Sequence, residues 1–337
     1  MYQLISPRQF EVTYNNESID TDQLIVRPLY LSICAADQRY YTGSRNQMVL
    51  KKKLPMALIH EAVGEIAYDA KNEYKCGTKV LMVPNTPTEK HDLFDENYLP
   101  SSLFRSSGFD GFMQDYVFLN RDRVVEVPED IDLSVASYSE LVSVSVHAIK
   151  RLQKYSINKY DSFGVWGDGN LGYITALLLR NLYPKAKIFV FGKTAFKLSH
   201  FSFVDEVFHI DKIPSDIKFD HAFECVGGMG SQDAINQIIE YINVQGTISI
   251  LGVSENNVEL NTRLVLEKGL NVVGSSRSSA EDFKDVAKLY REYPKIIDML
   301  SMLKGEEFNV RSINDIVNAF EYDLANAWGK TVMKWTI

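Results

Sequence analysis

The chain has 337 residues, of which 45% are hydrophobic and 24% are charged, a balance typical of a globular protein with room for two domains. Its formal net charge of -8 argues against a general binder of nucleic acid or of membrane surfaces, because both partners are anionic and require a basic excess. Cys34, Cys76 and Cys225 lie far apart in sequence, which favours a reducing compartment over a disulfide framework. We expect a cytoplasmic protein, because we find neither a signal-peptide pattern nor a run of about 20 apolar residues.

The first 140 residues predict a β-rich region. Short apolar runs, among them Leu24–Val26, Gly64–Ala67 and Lys79–Val83, are separated by Gly, Pro and Asn, as in strands joined by long loops. We expect a barrel or an open β core here. Residues 280–337 return to a mixed pattern and finish with a strand candidate, Thr331–Trp335, and we expect them to pack back on the first region.

From about residue 155 the pattern changes to alternating strands and helices. A strand at Phe163–Trp166 precedes a helix at Leu171–Leu182, and a second strand follows at Ile188–Phe191. Further elements are predicted at Phe219–Cys225 (strand), Ala234–Ile242 (helix), Thr247–Leu251 (strand) and Asn271–Gly274 (strand). This alternation predicts an α/β chain with a doubly wound parallel sheet, the Rossmann domain, at residues 146–279. The β-rich domain then comprises residues 1–145 and 280–337.

The segment Gly167-Asp168-Gly169-Asn170-Leu171-Gly172 lies between a predicted strand and a predicted helix, the context that a dinucleotide site requires. Gly167 permits the tight turn, Gly169 lets the backbone approach a pyrophosphate, and Gly172 lets helix and strand pack closely. Free N–H groups at the start of the helix, where Asn170 and Leu171 lie, favour the anion. The alternative is a glycine-rich turn without a ligand.

The second strand of the predicted Rossmann domain indicates which cofactor is used. An NAD site places an acidic residue at the end of this strand, on the ribose hydroxyls. The chain instead reads Gly192-Lys193-Thr194. Because no carboxylate repels a 2′-phosphate, and Lys193, Thr194 and Lys197 offer partners for it, we predict NADPH over NADH. A solvated loop lysine would give the same residue, so the prediction depends mainly on the missing acid.

A possible set of zinc ligands is spread over the first region: Cys34, His60, Glu61 and Glu140. Thiolate, imidazole and carboxylate suit zinc, and a catalytic site keeps one position open for water or substrate. Each residue alone has a structural explanation, since a single Cys is often a small core residue and a single His is often a satisfied polar group. These residues by themselves leave both interpretations open.

In the order of these features, the chain resembles the medium-chain zinc alcohol and polyol dehydrogenases over essentially its whole length. Within that superfamily it is most similar to the bacterial ribitol-5-phosphate dehydrogenases. Three long runs carry the resemblance: Ser32–Gly43, Phe163–Gly172 and Phe219–Gly228. It implies a GroES-like fold for the β-rich domain and makes it the catalytic domain, which holds the zinc and the substrate. It also implies reduction of D-ribulose 5-phosphate to D-ribitol 5-phosphate with NADPH, which supplies CDP-ribitol for teichoic acid or capsule synthesis.

The resemblance also implies roles for the site residues. Cys34, His60 and Glu140 correspond to zinc ligands, and Glu61 to an exchangeable or nearby ligand. Asp37 corresponds to a carboxylate that accepts a hydrogen bond from His60 and fixes its ring. The positions that contact the nicotinamide half of the cofactor are Gly252, Val253, Ser275, Ser276 and Arg277.

Two departures from the family pattern change what is expected. Many relatives carry four cysteines that bind a structural zinc, whereas the stretch Asn85–Gly108 contains none, so we expect a single, catalytic zinc. Relatives usually place a hydroxyl two residues after the first Cys to relay the proton, and here that residue is Ala36. The proton route stays open, with Tyr40, Tyr41, Glu61 or a water on the metal as candidates.

A phosphorylated substrate requires a fixed cation, and the basic residues of the first domain offer one. We favour Arg39 and Arg45, because a guanidinium binds phosphate through two parallel hydrogen bonds; Lys51, Lys52 and Lys53 follow shortly after. The alternative is that this basic segment is only a solvated surface.

Partners and rival functions follow from the same resemblance. It implies a homo-oligomer, either a dimer or a tetramer, and a ribitol-5-phosphate cytidylyltransferase as a candidate partner. A zinc-free reductase of the same superfamily is disfavoured, because Cys34, His60 and Glu140 are all present. A dehydrogenase of another polyol or polyol phosphate, and a catalytically silent nucleotide-binding relative, are the remaining alternatives.

Overall fold

The computed structural model describes all 337 residues, Met1–Ile337, in two units. One unit comprises Met1–Ser143 and Ser278–Ile337, and the other comprises Val144–Arg277. The strands are β1 (Tyr2–Ser6), β2 (Gln9–Val12), β3 (Gln23–Ser32), β4 (Met56–Ala57), β5 (Glu61–Asp69), β6 (Lys79–Met82), β7 (Asn85–Thr86), β8 (Leu103–Phe104), β9 (Val117–Asn120), β10 (Val124–Glu126), β11 (Ser162–Trp166), β12 (Lys187–Gly192), β13 (Glu206–His209), β14 (Phe219–Glu224), β15 (Ile242–Ile250), β16 (Asn271–Gly274), β17 (Lys304–Val310) and β18 (Lys330–Trp335). The helices are α1 (Ala35–Tyr41), α2 (Gln47–Lys53), α3 (Leu133–Ala136), α4 (Ser139–Tyr155), α5 (Asn170–Leu182), α6 (Ala195–Leu198), α7 (Ser231–Tyr241), α8 (Thr262–Lys268), α9 (Ala280–Glu292), α10 (Lys295–Leu300) and α11 (Ile313–Ala325).

The first unit is built around one sheet in the strand order β10-β6-β5-β3-β18-β17, with β9 also paired to β3. Strand β3 is central because it pairs antiparallel with both β5 and β18. Inward side chains such as Leu24, Val26 and Leu31 alternate with outward ones, as the pleat of a strand requires, and they join one apolar core. The pairing of β18 with β3 returns the C-terminal segment to the first unit.

The second unit is a six-stranded parallel sheet in the order β13-β12-β11-β14-β15-β16. Numbered within the unit, this is the order 3-2-1-4-5-6 of a Rossmann domain, and the predicted fold class is confirmed. The central strands β11, β12 and β14 are buried along almost their whole length, as expected where helices cover both faces of such a sheet. The short edge strand β13 was not predicted from the sequence, because its four residues are at most half-buried and show no strong apolar pattern.

The topology of the second unit fixes where a ligand can bind. Strand β11 pairs with β12 on one side and β14 on the other, so the chain reverses its direction of winding there. In an open sheet of this kind, ligands bind beyond the carboxyl ends of the strands at this point. None of the helices in either unit combines the length and apolar character that crossing a membrane requires.

Candidate active site and cofactor site

Three of the predicted metal ligands come together in the first unit. Cys34 follows β3, whereas His60 precedes β5 and Glu61 begins it, and the register of the two strands pairs Ser32 with Glu61. One ligand atom from each of Cys34, His60 and Glu61 lies within 4.8 Å of the others. His60 and Glu61 are buried, and Cys34 is partly exposed. Strand register therefore joins residues that the sequence separates by 26 positions or more.

Glu140, the fourth predicted ligand, is buried near the start of α4 and lies outside that close group. Burial raises the pKa of Glu140 to about 7; the positive charges of His60 and Lys330 oppose this rise, and the negative charges of Glu61 and Asp37 add to it. These charges place Glu140 electrostatically within the same cluster.

Asp37 is fully buried beside this cluster and receives four hydrogen-bond donors. Its Oδ1 lies 3.4 Å from Nδ1 of His60 and accepts from the Ser106 hydroxyl at 2.6 Å and the Ile59 N–H at 3.1 Å. Its Oδ2 accepts from the Cys34 N–H at 3.2 Å. Burial alone would raise the pKa of Asp37, but the charge of His60 and these hydrogen bonds outweigh it and the pKa falls. The carboxylate thus orients the His60 ring, which leaves the other ring nitrogen for a metal.

The donor set in the first unit fits zinc. A thiol, an imidazole and a carboxylate are all ligands that zinc accepts, and the atoms of Cys34, His60 and Glu61 are close enough to share one ion. His60 is also held by a carboxylate on its second nitrogen, as is usual for histidines that bind metal.

Lys330 is a further buried charge of this site that the sequence analysis missed. Its Nζ donates to both the Glu61 carboxylate, at 2.9 Å, and the Ile33 carbonyl, at 2.6 Å. Burial alone would lower the pKa of Lys330, but the charges of Glu61 and Cys34 outweigh it and the pKa rises. The sequence signal was a lysine at the start of a mostly buried strand, β18.

The glycine motif forms the strand-to-helix turn of the second unit. Gly167 follows β11 with φ +127°, a value that side chains rarely tolerate, and Asn170 and Leu171 open α5. A Cβ on Gly172 would lie 1.9 Å from the Gly167 carbonyl oxygen, whereas one on Gly169 would meet no protein atom within 4 Å. Gly172 thus serves helix packing, and Gly169 leaves open space against the backbone.

A cavity of about 350 Å³ opens beside this turn. Gly167, Gly169, Lys193, Thr194 and Lys197 all line it. The Asp168 carboxylate also lines it and accepts the backbone N–H groups of the two residues after β12, at 2.9 and 2.8 Å. Asp168 is a second residue whose role the sequence analysis missed; its carboxylate fixes the loop that presents Lys193 and Thr194. The predicted pyrophosphate-binding turn and the predicted 2′-phosphate partners therefore line one cavity.

Two other loops at the same edge of the sheet are joined by Glu224, the last residue of β14. Its buried carboxylate accepts the N–H groups of Val226 at 2.9 Å, Gly227 at 2.8 Å and Gly252 at 3.0 Å. A Cβ on Gly252 would lie 2.6 Å from both carboxylate oxygens, so the loop requires glycine there. The sequence analysis also missed Glu224, although an acid at the end of a wholly buried strand is an unusual sequence feature.

The remaining predicted cofactor residues follow β16. Ser275 is buried, and its Oγ has no hydrogen-bond partner in the structure. Ser276 and Arg277 come next, and Arg277 adopts a left-handed φ of +59°. The structure therefore brings Gly252 and Ser275 to the carboxyl ends of two adjacent strands, β15 and β16.

The residues predicted for phosphate binding lie at and after α1. The Arg45 N–H donates to the Arg39 carbonyl at 3.3 Å, so the two arginines share one turn. The guanidinium of Arg45 lies 4.7 Å from the ring centre of Tyr40, and its buried Nε has no hydrogen-bond partner. Tyr41 is a candidate proton relay, but its hydroxyl already donates a hydrogen bond to the Glu321 carboxylate at 2.7 Å.

Two family models match the chain. The model of the alcohol dehydrogenase GroES-like domain matches residues 20–129, and that of the zinc-binding dehydrogenases matches residues 191–292. Together they fall on the β-rich unit and on most of the parallel sheet.

Individual proteins are similar over the whole length. Ribulose-5-phosphate reductase 1 of Staphylococcus aureus is 67% identical, over 99% of this chain and 98% of its own. Ribulose-5-phosphate reductase of Bacillus spizizenii is 55% identical, over 100% and 98%. Among solved structures, S. aureus TarJ in complex with NADPH superposes with a TM-score of 0.90 at 61% identity, covering 100% of this chain and 98% of that one.

Proposed function

The chain belongs to the zinc-type medium-chain dehydrogenases, and from this membership we infer that it reduces D-ribulose 5-phosphate to D-ribitol 5-phosphate with NADPH. The product supplies CDP-ribitol for teichoic acid or capsule synthesis. The observation that carries the proposal is the convergence of Cys34, His60 and Glu61 in a chain that also holds a dinucleotide cavity. The choice of substrate is supported by two ribulose-5-phosphate reductases that are similar to this chain over essentially its whole length.

When bound, NADPH supplies the hydride and zinc supplies a Lewis acid for the ketone oxygen. The residues of the chain hold these groups. Cys34, His60 and Glu140 are proposed as zinc ligands, and Glu61 as an exchangeable ligand paired with Lys330. Asp37 fixes the His60 ring. We propose one zinc per chain, because the stretch Asn85–Gly108, which holds four cysteines in many relatives, contains none.

The preference for NADPH is proposed to depend on Lys193, Thr194 and Lys197, which line the cavity beyond β12. The loop after β12 itself offers no carboxylate to the ribose. The Asp168 carboxylate also lines the cavity, but one of its oxygens already accepts the backbone N–H groups of Lys193 and Thr194, at 2.9 and 2.8 Å. Gly252, Ser275, Ser276 and Arg277 are proposed to contact the nicotinamide half.

The substrate phosphate is proposed to bind Arg39 and Arg45. Their shared turn and the unpartnered Nε of Arg45 support this assignment. Arg45→Ala should raise the KM for ribulose 5-phosphate by roughly tenfold, the loss of about 1.4 kcal/mol of binding, with little change in the KM for NADPH. Lys51→Ala, an exposed change nearby on α2, is the control. If Arg45→Ala and Lys51→Ala both had the same small effect on the KM for ribulose 5-phosphate and on the KM for NADPH, Arg45 would not be the phosphate ligand.

The proposed setting is the cytoplasm, where thiols such as the three unpaired cysteines remain reduced. The proposed assembly is a dimer or tetramer, with a cytidylyltransferase as a candidate partner. These two proposals extend the family resemblance and are tested separately by size measurement and co-purification.

The test of the function is NADPH oxidation with ribulose 5-phosphate, before and after a chelator removes metal and again after zinc is restored. Unphosphorylated ribulose and NADH serve as controls. We expect turnover that requires the metal, the phosphate and NADPH together. A zinc-loaded protein without turnover would favour the silent relative, and turnover of another polyol phosphate alone would change the substrate.

A further inference from the structure

The Asp37 carboxylate beside the candidate zinc site contacts His60 and also accepts hydrogen bonds from three other residues. Oδ1 alone faces the ring of His60 and accepts the Ile59 N–H and the Ser106 hydroxyl. The Ser106 contact is the shortest of the three, at 2.6 Å. Short hydrogen bonds to an ionised carboxylate are stronger than those between neutral groups. Ser106 therefore makes the firmest of the three contacts that fix this oxygen.

Two of these donors lie on strained backbone. Ile59 has φ +71° and Ser106 has φ +59°, the left-handed region that favours glycine. A left-handed residue other than glycine costs on the order of 1 to 3 kcal/mol and persists where the surroundings enforce it. A β-branched residue such as Ile59 is especially disfavoured there. Both strained residues direct a donor at the same carboxylate oxygen.

The surroundings of Ser106 are rigid. Its N–H donates to the Phe109 carbonyl at 2.9 Å, and it is 3% exposed. The preceding Arg105 donates to the carbonyls of Asp110 and Phe118, at 3.1 and 3.0 Å. This turn belongs to the cysteine-free stretch Asn85–Gly108. The Ser106 hydroxyl connects that stretch to the neighbourhood of His60 through Asp37.

We propose that Ser106 is a positioning residue for the zinc ligand His60 and that it acts through Asp37. The proposal rests on the zinc site of the proposed function. Without the hydroxyl, Oδ1 loses its shortest contact, fewer hydrogen bonds fix the carboxylate, and the acceptor of the His60 ring is held less firmly. Such changes behind a metal ligand typically weaken metal binding by about 10- to 100-fold.

The experiment compares zinc release from wild type, Ser106→Gly, Ser106→Ala and Ser107→Ala into a colorimetric chelator. Ser106→Gly removes the hydroxyl and also relieves the left-handed strain, so a purely structural role predicts equal or greater stability and unchanged zinc binding. We expect both Ser106 variants to release zinc at least roughly tenfold faster than wild type. The urea concentration at which Ser106→Gly unfolds should be no lower than that of wild type. The hydroxyl of Ser107 contacts Lys53 instead, at 3.2 Å, which makes Ser107→Ala the matched control.

The outcomes separate this proposal from the proposed function. Wild-type zinc retention in both Ser106 variants would overturn the role of Ser106 while the zinc site stands. Equally fast release from Ser107→Ala would also overturn it, because general loosening of the turn would then be the cause. A wild-type protein that binds no zinc would overturn both proposals. Cobalt substitution gives a second readout, in which the spectrum of the bound ion shifts in Ser106→Gly and stays unchanged in Ser107→Ala.

Discussion

Lys330 and Glu61 form an ion pair that is almost wholly shielded from water, with side chains 3% and 0% exposed. The ammonium group also donates to the carbonyl of Ile33, the residue before Cys34, and this bond holds it next to Cys34. Charges taken out of water at this depth are stable only as a pair, since each alone would lose its hydration without compensation. Lys330 thus gives the Glu61 carboxylate a buried countercharge among the candidate zinc ligands.

The first prediction concerns this pair. Lys330→Met leaves the buried Glu61 carboxylate without its partner, and we expect it to lower the free energy of unfolding by about 3 to 5 kcal/mol. The double variant Lys330→Met with Glu61→Gln should recover about 1 kcal/mol or more of this loss, which reveals the coupling. Urea unfolding of wild type, Lys330→Met, Glu61→Gln and the double variant measures this coupling. Lys334→Met, at an exposed position of the same strand, should change stability by less than about 0.5 kcal/mol.

A second prediction follows from the three N–H groups on Glu224. Glu224→Gln replaces one acceptor oxygen with an NH2 group that faces other donors, so the Gly252 loop loses its anchor. We expect the Kd of NADPH to rise by roughly tenfold, the loss of about 1.4 kcal/mol. Adenosine 2′,5′-bisphosphate, which lacks the nicotinamide half, should bind within about twofold of wild type.

Comparing the changes in the dissociation constants of the two ligands shows whether Glu224 acts on the nicotinamide half alone. Equal weakening of both would mean that the whole sheet edge is disturbed and that Glu224 is only structural. Glu259→Gln, an exposed substitution on the loop before α8, is the control and should leave both dissociation constants unchanged.

These contacts explain which features could be predicted from the sequence. The Rossmann elements and the glycine turn depend on local patterns, namely apolar period and backbone freedom within a few residues. The predicted strand Asn271–Gly274 agrees with β16, and the predicted helix Leu171–Leu182 begins one residue late. Cys34, His60 and Glu61 were found because their residue types suit zinc and because a family resemblance ordered them.

The supporting residues could not be found in this way, because their partners are remote in sequence. Lys330 lies 269 residues from Glu61, and Ser106 lies 69 residues from Asp37. Serine and lysine are common types that usually face solvent, so neither residue type signals a role. Only strand register and the course of the loops bring them to the carboxylates, and neither has a local signature.

A third prediction separates two glycines of one motif. Gly172→Ala forces a Cβ to within 1.9 Å of the Gly167 carbonyl oxygen, so the helix must shift, and we expect a loss of about 1 to 3 kcal/mol in unfolding free energy. Gly169→Ala meets no protein atom within 4 Å and should keep wild-type stability. It should instead weaken NADPH by roughly tenfold, or about 1.4 kcal/mol, because the Cβ occupies space beside the backbone that the pyrophosphate approaches. Unfolding curves without cofactor and NADPH titrations distinguish the two; a Gly169→Ala protein that binds NADPH normally would contradict the assigned contact.

The last prediction concerns pH and Asp220, a buried carboxylate of β14. Burial alone would raise the pKa of Asp220, but hydrogen bonds from Lys159, Asn243 and Ser162 outweigh it and hold the pKa below its usual range. A carboxyl whose folded-state pKa is lowered stabilises the protein fully above its unfolded pKa of about 4, and this contribution disappears as the pH falls below that value. We expect Asp220→Asn to cost about 1 to 2 kcal/mol at pH 7, a modest figure because Lys159 is half exposed.

The difference in unfolding free energy between wild type and Asp220→Asn should therefore be constant between about pH 5 and 7 and shrink as the pH falls below about 4. Comparing the two proteins at each pH cancels the acid sensitivity that they share. Asp161→Asn is the matched control, because Asp161 also faces Lys159, at 4.0 Å, but is 79% exposed and should contribute almost nothing at any pH. A difference for Asp220→Asn that stays the same down to about pH 3 would mean that the carboxylate stabilises the sheet through shape and not through its charge.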